Sequence, residues 1–115
     1  MADIMRIKVP TTKLTIGDGP DTMDFYGFIR WTIATNPTYN MDASGIRAAV
    51  RLERLLEDKP ASFDLDQEDL NRLRGAVEAP HGGYPIRPGA RCLPFVDAVV
   101  NATAAPVVAQ EVVES

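Results

Sequence analysis

The stretch from Asp42 to Asp58 restricts the fold of this chain more than any other. Small and apolar residues recur at Gly45, Ala48, Ala49, Leu52, Leu55 and Leu56, the spacing of one helix face. Arg47, Arg51, Arg54 and Asp58 recur on the other side. Asp42 or Ser44 can cap the first turn by accepting a bond from an unpaired amide. Lys59-Pro60 ends the run, because a residue before proline is pushed out of helical geometry. A central helix is therefore expected over about 43–58.

The flanking segments are shorter. Residues 4–9 alternate, with Met5, Ile7 and Val9 on one side and Ile4, Arg6 and Lys8 on the other, which is the pattern of a strand with one wetter face. Residues 13–16 fit a second short strand or an extended arm, and Gly17-Asp18-Gly19-Pro20 is a turn by composition. Residues 21–35 fit two periods. Phe25, Phe28, Ile29 and Thr32 make a helical stripe, whereas Phe25, Gly27, Ile29, Trp31 and Ile33 alternate as in a strand. A cap at Asp21 or Thr22 and the length of the segment select the helix, although Gly27 costs it about 1 kcal/mol relative to alanine. The aromatic residues here are expected in the core.

Beyond Pro60, residues 62–65 suit a small strand. Asp66 caps a further helix, with Asp69 as a weaker capping-box partner and Leu65 and Leu70 at the staple positions. Leu70, Leu73 and Val77 form its buried stripe. Residues 79–94 hold four prolines and three glycines, too many for regular structure over most of the segment. A last helix is expected from Leu93, which places Pro94 in a first turn that tolerates it. These elements predict an α+β domain of three to four helices around the central one, with an N-terminal strand or hairpin and extended terminal arms. An all-α core with extended arms is the alternative. The expected division within one domain is a strand or arm over 1–20, a globular core over 21–103 and an arm over 104–115.

The net charge of −4 argues against non-specific binding to DNA or RNA, where neutralising phosphates carries the affinity. No run approaches the ~18 apolar residues that span a bilayer. The segment from Met1 to Pro10 lacks the apolar stretch of a secretory signal. With a single cysteine this fits synthesis in the cytoplasm. One histidine and one cysteine leave a zinc site short of ligands, so no metal or cofactor is expected. His81 and Cys92 could form a thiol dyad, but Cys92 sits on an apolar stripe where a buried inert thiol is the default. The acidic run at Asp64, Asp66, Glu68 and Asp69 is explained by capping and by charge near a helix N-terminus. No catalytic motif occurs, and an enzyme is not expected.

Partner binding is the remaining chemistry. Nine of the twelve cations are arginine, and Arg47, Arg51 and Arg54 recur on one helix. They form either a solvated face, with Arg54 paired to Asp58, or a contact stripe, since guanidinium is desolvated more readily than ammonium. Val107, Val108, Val112 and Val113 are apolar on a segment too short and too interrupted by proline for a free helix. They pack on their own domain, or on a second copy or another partner by strand addition or groove docking. Tyr84 and Arg87 in the Pro/Gly loop complete the candidate contact residues. The expected function is a non-enzymatic subunit that joins other protein chains through its arms and loop. The alternative is a small regulator or inhibitor that binds its target with the Arg47/Arg51/Arg54 face. A small acidic domain with two arms and a proline-rich loop resembles in style the accessory proteins of bacteriophage particles, although no motif carries that resemblance. It implies a place in a virion head or tail.

Overall fold

A computed structural model describes residues 4–16, 20–86 and 89–104. The described elements are β1 (Ile4–Lys8), β2 (Leu14–Thr15), β3 (Thr22–Met23), α1 (Phe25–Thr35), α2 (Ala43–Leu56), β4 (Ser62–Asp66), α3 (Gln67–Glu78), α4 (Leu93–Val100) and β5 (Thr103–Ala104). Tight 3-10 turns lie at Pro37–Tyr39 and Gly89–Cys92. The chain is thus α+β, with four helices among the described residues and a small antiparallel sheet that includes the N-terminal strand. The all-α alternative is overturned by the sheet.

Strand β1 lies in the middle of that sheet, between β4 and β5. Ile7 stands opposite Phe63 and Met5 opposite Leu65. Ile7, Phe63 and Leu65 are buried, as the alternation requires. On the outer face Arg6 stands opposite Asp64 and donates to it through Nε and Nη2, at 2.8 and 3.1 Å. That bidentate bond holds the Asp64 carboxyl below the usual carboxylate range. β5, where Thr103 pairs with Arg6, is a strand that no local pattern announces.

The second ladder is a hairpin, β2 on β3, with Leu14 opposite Met23 and Thr15 opposite Thr22. It corrects the start of α1. Thr22 and Met23 are used in pairing, so neither Asp21 nor Thr22 is the cap. Asp24 takes that place, accepting from the Gly27 amide at 2.8 Å. The helical reading of 25–35 holds, with Phe25, Phe28, Ile29, Thr32 and Ile33 buried. Phe95 of α4 meets Phe25 nearly edge-on at 5.7 Å between ring centres and Phe28 at 5.5 Å. Trp31 packs half-buried beside Phe28.

Helix α2 begins where the sequence places it. Asp42 accepts from the Gly45 amide at 2.8 Å. The helix ends at Leu56, two residues short of the expected limit, and Lys59 sits at φ 48° just before Pro60. Helix α3 is capped by Asp66, which accepts from the Asp69 amide at 2.8 Å. The carboxylate of Asp69 does not reach back as a capping-box partner, because Arg51 holds it. From α3, the Arg74 guanidinium donates to the Val100 carbonyl at 3.0 Å, a cation on the otherwise unpaired end of α4.

Gly75 lies inside α3 on its exposed side, and a Cβ built there meets no atom within 4 Å. Glycine in such a place only adds freedom to the unfolded chain. Gly75→Ala is expected to raise stability by about 0.5–1 kcal/mol, read as a higher urea midpoint at unchanged slope.

Candidate protein-binding surface

The surface to be weighed is the outward side of α2. Its inward side is settled by packing: Gly45, Ala48, Ala49, Leu52 and Leu56 are buried. Leu55 belongs with them by spacing, yet it is exposed at the flank. Between the buried stripe and the arginines lie Ile46 and Val50, one helical turn apart, 52 and 39% exposed. Met41, just ahead of the cap, is 79% exposed. Arg47 and Arg54 border this apolar row on one side, Glu53 borders it on the other, and Glu57 stands at its far end.

The three arginines do not behave alike. Arg51 points to the flank and binds Asp69 of α3 through Nε at 3.0 Å and Nη2 at 2.8 Å. Its role is to hold α2 on α3. Arg47 and Arg54 are exposed and make no ion pair among the described residues. The expected pair of Arg54 with Asp58 is absent because the helix stops at Leu56, so the four-residue spacing no longer places the two on one face.

Tyr84 is half-buried. Its hydroxyl donates to the Val77 carbonyl at 2.7 Å, and its ring covers Gly89, where a Cβ would approach the ring to 3.0 Å. Burial pushes the phenol pKa up. Tyr84 thus ties the Pro/Gly loop to α3, and Ile86 of the same loop is buried. Arg87, Val107, Val108, Val112 and Val113 lie outside the described residues.

The chemistry elsewhere is sparse. Cys92 is fully buried, its Sγ–H directed at the Ile86 carbonyl at 3.9 Å, and burial raises its pKa; His81 is exposed. Among the described residues no group of three or more His, Cys, Asp or Glu is placed to hold a metal ion. No helix among them is long and apolar enough to cross a membrane. A cleft of about 350 Å³ lies between β1 and the end of α4, with Arg6, Lys8, Asp97 and Asn101 in its wall. Arg6 is already bound to Asp64, and Asp97 opposes Lys8, so the cleft has no clear charge preference.

Ile46 and Val50 were not among the residues singled out from sequence. The signal was present: once 45, 48, 49, 52 and 56 are assigned inward, 46 and 50 can only face out. No protein-family model matches this chain, and neither a curated protein nor a solved structure matches it.

Proposed function

We propose that this chain is a non-enzymatic subunit of a protein assembly and that the outward face of α2 is its contact surface. The observation that carries this reading is the exposed apolar pair Ile46 and Val50 on α2, bordered on one side by Arg47 and Arg54, with exposed Met41 just ahead of the helix. An apolar centre with a charged rim that includes arginine, here Arg47 and Arg54 with Glu53 and Glu57, is an arrangement that protein interfaces use. A bacteriophage head or tail is the setting that the style of the chain suggests for such a subunit.

Ile46→Asp tests the surface. The side chain faces away from the core, so the thermal transition is expected to move by less than about 0.5 kcal/mol in stability terms. Native mass over a concentration series is expected to report assemblies for the wild type and single chains for the variant. Assemblies that persist unchanged in the variant would remove α2 from the interface. A wild type that stays single at every concentration would favour the regulator over the assembly subunit.

A further inference from the structure

Resting on that reading, we infer that α2 packs on α2 of a second copy of this chain, parallel to it and about a two-fold axis. The outward face carries both signs of charge. With 3.6 residues per turn, Arg54 and Arg47 lie about 40 and 60° to one side of Val50, and Glu53 lies about 60° to the other. All three are exposed, as is Glu57 beyond them, and none of the four makes an ion pair among the described residues. A face with cations on one flank and an anion on the other complements itself in one orientation only.

A two-fold axis along the helix direction sets the cationic flank of each copy against the anionic flank of the other. Arg54 then meets the second copy's Glu53, from which it differs in height by one residue, about 1.5 Å. The second copy's Glu57, three residues beyond Arg54 in height, follows on the same side, so one guanidinium serves two carboxylates. Val50 meets its own equivalent, and Ile46 lies against the aliphatic stem of the second copy's Arg47. Both exposed Met41 residues come to the same end of the pair. An antiparallel pair centred on Val50 sets like flanks together instead. Arg47, three residues before Val50, then faces the second copy's Arg54, four residues after it, again within about 1.5 Å in height. Glu53 faces the second copy's Ile46. Like charges in register disfavour that orientation, and the parallel one remains.

Charge exchange in the full-length chain tests this. One variant carries Arg54→Glu and a second carries Glu53→Arg. A contact of one helix per copy lies at the weak end of protein interfaces, so sedimentation velocity is run over a series reaching roughly 1 mM. The wild type is expected to form dimers. Each variant is expected to associate at least ~10-fold more weakly, since both cross-pairs of its dimer become like-charged. An equimolar mixture of the two is expected to regain wild-type strength, because both cross-pairs of the mixed dimer are again of opposite sign. A chain that carries both changes is expected to regain it alone. Variants that associate as strongly as the wild type, or a mixture no stronger than its components, overturn the inference. So does a wild type that remains single throughout, or an Arg54→Glu protein that associates more strongly, the result an antiparallel pair gives. If Ile46→Asp abolishes association while the charge variants leave it intact, α2 remains the contact surface and only the parallel two-fold pairing is wrong.

Discussion

Leu52→Ala is expected to remove about 2–5 kcal/mol of stability, from a total of roughly 5–15 kcal/mol for a domain of this size. Leu52 is buried at the centre of the inward stripe of α2. Its stripe neighbours on the preceding turn are Ala48 and Ala49, which have no side chain long enough to fill the space. The loss therefore combines the transfer energy of the leucine with the cavity it leaves. Arg51→Ala, one residue away, breaks the bidentate bond to Asp69 but leaves an exposed position, so its cost is expected to stay within about 1 kcal/mol. Urea melts of the two variants give the comparison. Equal losses would mean that α2 is buried on every side, and the exposed face would not exist.

What could be read from the sequence was local. Asp42 and Asp66 sit one residue before their helices, and the apolar periods that follow point to one side, so caps and buried stripes follow from spacing alone. Pro94 likewise places the start of α4. What could not be read depends on partners distant along the chain. Thr103 and Ala104 form a strand only because β1 offers an edge, and two residues carry no period of their own. Thr22 and Met23 look like the beginning of a helix until Leu14 and Thr15 pair with them and move the cap to Asp24. Arg6 with Asp64 and Arg51 with Asp69 join residues 58 and 18 positions apart. The stripe of three arginines divides for the same reason: the one facing α3 is taken, and the two facing outward make no ion pair among the described residues. The candidate surface was legible in composition and not in detail, since a side chain left over on a helix is seen only when every inward position has been assigned.

Gly45→Ala is expected to destabilise the chain, the reverse of the usual effect in a helix. Alanine is ordinarily favoured over glycine there by about 0.5–1 kcal/mol, and Gly75→Ala should gain that amount. At Gly45 a Cβ would stand 2.4 Å from the Thr38 carbonyl oxygen and 3.2 Å from Tyr39 Cα. Both are backbone atoms, so no rotamer change relieves the contact. The segment they belong to is held from several directions. Asn36 accepts from the Thr38 amide at 3.0 Å, Arg72 donates to the Thr38 carbonyl at 3.2 Å, and Tyr39 is buried. The first turn of α2 must then lift away from the 37–39 turn or drag it out of place. Overpacking of this kind costs about 1–3 kcal/mol, and the propensity gain offsets only part of it. The two alanine variants make a matched pair on one denaturant axis, with Gly75→Ala shifted to a higher midpoint and Gly45→Ala to a lower one. A Gly45→Ala protein as stable as the Gly75→Ala protein would mean that α2 does not press on the Thr38 carbonyl. Its inward face would then need to be rotated, and Ile46 and Val50 with it.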